Sequence, residues 1–266
     1  MIWLPILVKA ACTAFCVVLA ASLAQRLGPF WGGLIATLPV SSGPAYVLLA
    51  LEHDAAFIET GSLGGYAANV GTAVYLTIYG LLAAKRSLAV AVGAALAGWG
   101  LVSYLTLQVD WTPFTATLSN ILVYAVAFRL LLPVERAALG AVMTAPSRWY
   151  DAPLRAAFVV TFVLTLVTAS DSLGPLATGV MAVFPVSLTS LFLLLKPRVG
   201  GLATALLAVN ALRGMVGFGL MMLTLHLAIA PIGLVPAMIA ALCVSLLWSL
   251  GMLLHRRSKA TRRLPA

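Results

Sequence analysis

Two stretches of this chain follow one pattern: residues 9–41 read KAACTAFCVVLAASLAQRLGPFWGGLIATLPVS, and residues 155–187 read RAAFVVTFVLTLVTASDSLGPLATGVMAVFPVS. They align without a gap at an offset of 146 residues, with 11 identities in 33 positions. The shared spacing of Leu-Gly-Pro, Gly and Pro-Val-Ser is informative, because glycine and proline each impose a backbone geometry. We interpret the stretches as copies of one unit, an internal duplication of the kind found in membrane transporters.

The composition predicts an integral membrane protein. Of the 266 residues, 62% are hydrophobic and 9% are charged, with a mean hydropathy of +1.08. Apolar runs of about 20 residues recur along the chain, and lipid permits them only as helices, since no barrel-strand alternation is present. We therefore expect one domain, an all-α polytopic bundle of about nine transmembrane helices. The predicted spans are residues 2–24, 30–51, 56–84, 87–107, 111–133, 153–171, 174–195, 199–224 and 232–254.

The basic residues between spans all fall on one side of this arrangement. The connections that follow odd-numbered spans hold Arg26, Lys85, Arg86, Arg136, Arg148, Lys196 and Arg198. The positive-inside rule places these connections and the basic tail in the cytoplasm, with the N-terminus outside. Topology then accounts for the net charge of +9, so no nucleic-acid partner is expected. We predict a bacterial inner (plasma) membrane protein that contacts lipid, with monomer and homodimer both open.

Five spans separate the start of one copy from the start of the next, and an odd number inverts the second copy. The predicted architecture is five spans plus four: repeat one at residues 1–134, a cytoplasmic linker at 135–152, repeat two at 153–254 and a tail at 255–266. Span one is kept in the mature protein, because its counterpart, span six, is internal and cannot be a cleaved leader. Copies related by an axis in the membrane plane would form the two gates of an alternating-access carrier.

Pro39 and Pro185 mark the predicted substrate site, each near the middle of a span. A mid-helix proline removes a backbone hydrogen bond and leaves a carbonyl that lipid cannot satisfy. Either nearby hydroxyls heal a simple kink, or interrupted helices two and seven meet at the midplane and line a binding site. The residues expected to line it follow the two prolines: Ser41, Ser42 and Gly43 in copy one, and Ser187, Thr189 and Ser190 in copy two.

Asn69 and Asn210 occupy matching places in spans three and eight, if a five-residue gap is allowed. An amide within a membrane span must find a hydrogen-bond partner. The two amides either face the same central substrate region or simply hold helices together, and the sequence leaves both readings open.

Ionisable residues within the spans are further candidates. Arg213 lies near the centre of span eight, where an arginine costs at least about 2.5 kcal/mol. It would hold an anionic substrate group or form a salt bridge, for which Glu59 is the one carboxylate clearly within a span. Lys9 and Arg155 share a repeat position near helix ends, where they either snorkel to headgroups or attract anions at the two mouths. Glu59 is also a candidate proton carrier for coupling or gating.

These features predict a secondary transporter for a small organic or anionic solute. No HExxH, Asp-rich, GxSxG or GxxxxGK[ST] motif occurs, and the cysteines lack metal-site spacing, so we expect neither an enzyme nor a metal or other cofactor. A lipid or lipid-phosphate flippase, a channel, or a membrane subunit of a complex is the alternative, since a flippase would use the same repeat and the same basic residues. The partner is then a small-molecule or lipid substrate.

Overall fold

A computed structural model of the chain describes residues 42–138 and 148–261, with side chains as far as residue 255. This part of the chain is all helical, as predicted, and contains no strand. Its seven helices are α1 (Ser42–Glu52), α2 (Ala55–Leu82), α3 (Leu88–Thr106), α4 (Pro113–Ala137), α5 (Asp151–Ala182), α6 (Val186–Ile232) and α7 (Leu234–Thr261). Lys9, Pro39 and Ser41 lie outside the described residues, and the predictions for them stay predictions.

Five of these helices are long and apolar enough to cross a membrane: α3, α4, α5, α6 and the Leu234–His255 part of α7. In the apolar stretch of each, 22–39% of the residues are buried inside the molecule. The helices agree with the predicted membrane protein. The described residues hold seven helices and not nine, so the nine-span inverted repeat stays a prediction.

Two of the long helices bend sharply at a glycine. Gly174 in α5 has φ 75° and ψ 171°, and Gly200 in α6 has φ 81° and ψ 171°, a left-handed region that residues with a side chain rarely adopt. As one straight rod, the 47 residues of α6 would be about 70 Å long, more than twice the hydrocarbon thickness. Gly200 therefore divides α6 into residues 186–199 and 201–232, close to the predicted boundary between spans seven and eight.

α2 is the central helix and packs against α3, α4, α5 and α6. Its side chains are buried along most of its length, although it carries glycines, tyrosines, threonines and an asparagine. It is also absent from the five helices apolar enough to face lipid. Both properties have one cause: the neighbours of α2 are other helices, which can pair with polar groups where lipid cannot.

Glycines allow α2 to approach the part of α5 that follows Gly174. A Cβ on Gly179 would overlap the carbonyl oxygen of Gly61, and a Cβ on Gly64 would lie 2.7 Å from the carbonyl oxygen of Leu176. The two backbones thus touch without side chains between them. Gly179 is the repeat glycine that aligns with Gly33. In the second copy, the close packing of α5 on α2 therefore explains why a glycine stands at this position.

Basic residues from separate connections meet at one end of the bundle. Lys196 Nζ donates a 2.7 Å hydrogen bond to the Arg86 carbonyl, and the two Nη atoms of Arg198 each lie 2.7 Å from a carboxylate oxygen of Asp151. We call this the basic end. α4 continues to Ala137 and α5 begins at Asp151, so the connection between them is shorter at both ends than the predicted linker 135–152.

Candidate functional site

The helical path stops between α5 and α6, at residues 183–185. Val183 forms a turn, Phe184 and Pro185 are not helical, and α6 begins at Val186. Proline lacks an N–H, and its ring clashes with the preceding turn of a helix. The interruption predicted at Pro185 is therefore present, and Pro185 is buried. The corresponding residue of the first copy, Pro39, lies outside the described residues.

The backbone groups at the break have partners that a continuous helix would not need. Val186 N donates to the Phe184 carbonyl at 2.7 Å, and the Val183 carbonyl accepts a 3.3 Å hydrogen bond from Thr72 Oγ1 of α2. Pro185, the N-cap residue of α6, makes no side-chain cap hydrogen bond. A hydroxyl of the central helix thus satisfies a freed carbonyl. The uncapped N-terminus of α6 places the positive end of a helix dipole at the break.

One face of α2 packs against the first turns of α6. Thr72, Tyr75 and Tyr79 lie three and four residues apart, and such residues share a helix face. Tyr75 OH and Thr189 Oγ1 are hydrogen bonded at 2.8 Å, and the Tyr79 ring stacks on Phe192 with ring centroids 3.7 Å apart. The central helix therefore lines the break with hydroxyls and aromatic rings.

Three buried polar atoms have no hydrogen-bond partner among the described residues: Ser187 Oγ at the start of α6, and Trp99 Nε1 and Ser103 Oγ on α3. Trp99 and Ser103 are 5% and 4% exposed, and both lie on α3 against Gly71 of α2. The Trp99 ring meets Phe184 edge-on at 4.9 Å. A buried polar group left without a partner costs about 1–3 kcal/mol and is uncommon in native proteins.

We define the break cluster as the polar residues around the interruption: Thr72, Tyr75, Trp99, Ser103, Ser187 and Thr189. Ser187 and Thr189 were predicted as lining residues, and the structure places both at the break. Ser190 is also close in sequence, but its hydroxyl donates to the Ser187 carbonyl of its own helix at 2.9 Å. Sequence reasoning missed the four members on α2 and α3. Hydroxyls and aromatic rings are common in helices. These four residues differ from the others only because α2 and α3 pack against the break, and the sequence does not show that packing.

The two predicted asparagines have different partners. Asn69 Nδ2 donates to Asn120 Oδ1 at 3.1 Å and to the Met215 carbonyl at 3.2 Å. Asn210 Oδ1 accepts a 3.1 Å hydrogen bond from Arg213 Nη1. Asn120, not Asn210, is thus the amide bonded to Asn69, and the pair joins α2 to α4. An amide inside a predicted span was the signal that singled out Asn69, and it would also have found Asn120.

Arg213 pairs with Glu135 and not with Glu59. Its Nη2 atom lies 2.7 and 2.6 Å from the two carboxylate oxygens of Glu135, and the two side chains are 35% and 26% exposed. The salt bridge that the sequence left open for Arg213 is thus present, but its partner is not Glu59. The predicted linker 135–152 places Glu135 outside the spans, whereas α4 continues to Ala137. Helical side chains point towards the N-terminal end of their helix, so Arg213 extends from α6 towards the basic end. The carbonyl of Arg213 also accepts a 2.9 Å hydrogen bond from Trp248 Nε1 of α7.

Other predicted residues lie on other parts of the bundle. Glu59 is 13 residues before Thr72 on α2, a distance of about 20 Å along the helix. Its carbonyl lies 2.9 Å from His226 Nδ1. Arg155 lies one turn after Asp151 at the basic end, and its Nε has no partner among the described residues. Ser42 and Gly43 form the first turn of α1, which packs against α5.

A Ser-His-Asp arrangement occurs away from the break, but it does not make a nucleophile. His53 Nε2 lies 2.6 Å from Ser170 Oγ, and His53 Nδ1 lies 3.8 Å from a carboxylate oxygen of Asp171. Ser170 is 1% exposed, and its hydroxyl donates to the Val167 carbonyl at 2.7 Å. Because that proton is committed to a carbonyl, His53 donates to Ser170 and does not act as its base. The contact joins the α1–α2 connection to α5.

The hydrogen bonds of the break cluster join only uncharged groups in the described ranges. Residues 42–138 and 148–261 also contain no group of three His, Cys, Asp or Glu residues that could hold a metal ion. Comparisons with protein-family models, curated proteins and solved structures found no match. The neutral hydrogen-bonding groups and aromatic rings of the break cluster are suited to noncovalent binding of a small solute.

Proposed function

We propose that this protein is a secondary transporter that works by alternating access and binds a small solute at the break between α5 and α6. The observation that carries the proposal is the interruption itself. A buried proline stops the helix inside the bundle, and the freed backbone faces polar groups of the central helix. Irregular backbone at membrane depth is tolerated only where protein or a water-filled cavity satisfies it, and transporters build substrate sites from such interrupted helices.

The proposal includes nine spans arranged as an inverted repeat. The bends at Gly174 and Gly200 support separate spans six, seven and eight within α5 and α6. Gly174 and Pro175 belong to the repeated Leu-Gly-Pro, so the same bend is expected at Gly28 in the first copy. We place the basic end in the cytoplasm of a bacterial inner membrane, with the N-terminus outside, because basic connections stay on the cytoplasmic side.

A measurement of distances at both ends of the bundle tests alternating access without requiring a known substrate. Spin labels on Gln108 and Ser172 report on one end, and labels on Ala137 and Pro197 report on the basic end. All four residues are exposed. In nanodiscs, with the native cysteines replaced by alanine, each pair should show a short and a long distance population.

The two ends should respond in opposite directions. Joining residues 108 and 172 as cysteines with a short bifunctional reagent should shift the basic-end pair, labelled through unnatural amino acids, to its long population. The same reagent on a chain with only Gln108 changed to cysteine is the control and should leave both populations in place. A single distance at each end, unaffected by the cross-link, would contradict the transporter proposal.

A further inference from the structure

The break places two helix ends of opposite polarity next to each other. The α5 helix ends at Ala182 with its carbonyl groups towards the break, and α6 begins at Val186 with its N–H groups towards it. The C-terminal end of a helix carries a partial negative charge and the N-terminal end a partial positive charge. Such a site favours a solute head whose acceptor atom faces α6 and whose donor atom faces α5.

The unpartnered side chains at the break offer the same combination. The Trp99 Nε1–H can only donate, whereas the Ser103 and Ser187 hydroxyls can donate and accept. All three atoms are buried and lack partners among the described residues. A head group with both acceptor and donor atoms would satisfy them and remove the cost of leaving them unpaired.

The lysine and the two arginines of α6 have partners outside the break cluster. Arg213 has Glu135 as its partner, Arg198 has Asp151, and Lys196 donates to the Arg86 carbonyl. A solute with a net charge would have to leave water for a site whose hydrogen bonds, in the described part of the chain, join only neutral groups. A head without formal charge avoids that cost, and a zwitterionic head lowers it because its carboxylate faces the positive end of α6 and its ammonium faces the negative end of α5.

Aromatic rings next to the break indicate the chemistry of the part of the solute behind its polar head. Phe184 contacts Trp99 edge-on and stacks on Phe162 with centroids 5.4 Å apart, and both phenylalanines are only partly buried. Phe192, Tyr75 and Tyr79 are fully buried against one another. The Phe162 and Phe184 rings are apolar and flat, so they suit an apolar body behind a polar head.

Resting on the proposed transporter function, we infer that the solute carries a dipolar head without net charge, either a zwitterionic amino acid head or a carboxamide, on an apolar body. The head binds at the break cluster, with its acceptor towards Trp99 and the start of α6. The two head types share one chemistry, and separate probes distinguish them.

Equilibrium dialysis of the full chain in nanodiscs with four probes of one shape tests this inference. The probes are L-phenylalanine (zwitterion), phenyllactamide (neutral), phenyllactate (anion) and phenylalaninamide (cation). We expect saturable binding of at least one of the first two, with the anion and the cation at least about tenfold weaker. That ratio corresponds to the ~1.4 kcal/mol of one decade in affinity.

Variants locate the binding. Trp99→Phe and Ser187→Ala each remove one hydrogen-bonding group and should weaken the binding of the preferred probe about three- to tenfold. Trp149→Phe and Ser172→Ala change the same residue types at exposed positions and should leave the binding unchanged. Size-exclusion elution and helical circular dichroism confirm that each variant is folded.

The remaining outcomes overturn the inference. Tightest binding of phenyllactate or phenylalaninamide would contradict the inference that the head has no net charge. Binding that Trp99→Phe and Ser187→Ala leave unchanged would contradict its location at the break cluster. Absence of binding by all four probes would also overturn it. The spin-label distances decide the transporter proposal separately, so each result shows which of the two inferences has failed.

Discussion

The break cluster and the Arg213 ion pair both bring polar groups into an apolar bundle, but they differ in how completely those groups are paired. Arg213 has bonds to both oxygens of Glu135 and to Asn210. At the break, by contrast, the buried polar atoms of Trp99 and Ser187 lack partners among the described residues. A charge inside a span attracts notice in a sequence, yet a charge that already has its counter-ion needs no ligand. Unpaired neutral groups are the better indication of a binding site.

The largest expected effect is the loss of one partner of the ion pair. Glu135→Ala leaves the Arg213 charge uncompensated, and we expect a loss of about 2 kcal/mol in the free energy of unfolding. Fully buried pairs lose about 3–5 kcal/mol, but here both side chains are partly exposed. Unfolding by SDS in mixed micelles, followed by tryptophan fluorescence, measures the change. Glu59→Gln is the control, because the Glu59 side chain forms no ion pair among the described residues.

Replacement of both partners separates structure from binding. The double variant Glu135→Leu with Arg213→Met should recover most of the lost free energy of unfolding, because a buried ion pair can be exchanged for apolar groups of similar volume. It should also bind L-phenylalanine or phenyllactamide as the unchanged chain does. Loss of that binding in a stable double variant would place Arg213 in the substrate site. The paired charge, and not the unpaired neutral groups at the break, would then mark the binding site.

The next effect concerns the freed carbonyl at the break. Thr72→Val keeps the shape of the side chain but removes the hydroxyl that bonds the Val183 carbonyl, so we expect a loss of about 1–2 kcal/mol in the free energy of unfolding. Thr77→Val is the matched control on the same helix, because its hydroxyl bonds the Ala73 carbonyl of its own helix. Equal stability of the two variants in SDS titration would contradict a special role for Thr72.

Some of this fold follows from local rules in the sequence. Proline limits its own backbone and that of its neighbours, so Pro185 predicted an interruption without knowledge of the packing. The helical class likewise followed from apolar runs that can exist in lipid only as helices. The bends at Gly174 and Gly200 fall close to predicted span boundaries for the same local reason, since glycine permits the left-handed turn.

The partners of the polar residues could not be predicted in this way. Glu135 is 78 positions from Arg213 in the chain, and their pairing depends on how α4 lies against α6. Charged residues after Pro133 also resembled a loop, although the helix continues through them. Trp99 and Ser103 gain their significance from lying against Gly71 of α2, and Trp99 also from its contact with Phe184. Such contacts depend on the whole packing and have no local signal.

A smaller effect is expected from the tyrosine hydroxyls of α2. Tyr75→Phe removes the hydrogen bond to Thr189 and should cost about 1 kcal/mol, seen as a lower midpoint of thermal unfolding in nanodiscs. Tyr104→Phe changes the same residue type at an exposed position of α3 and should leave the midpoint unchanged. If Tyr104→Phe lowers the midpoint as much as Tyr75→Phe, the hydrogen bond to Thr189 does not stabilise the break.

The smallest effect on stability should come from Ser187, and it is the most informative. Ser187→Ala removes a hydroxyl that has no partner in the described part of the chain, so the free energy of unfolding should change by less than about 0.5 kcal/mol, or increase. The same variant is expected to weaken binding of the preferred probe. A group that contributes to binding but not to folding is one reserved for a ligand. A large loss of stability in SDS titration would instead mean that Ser187 pairs within the protein, as Arg213 does.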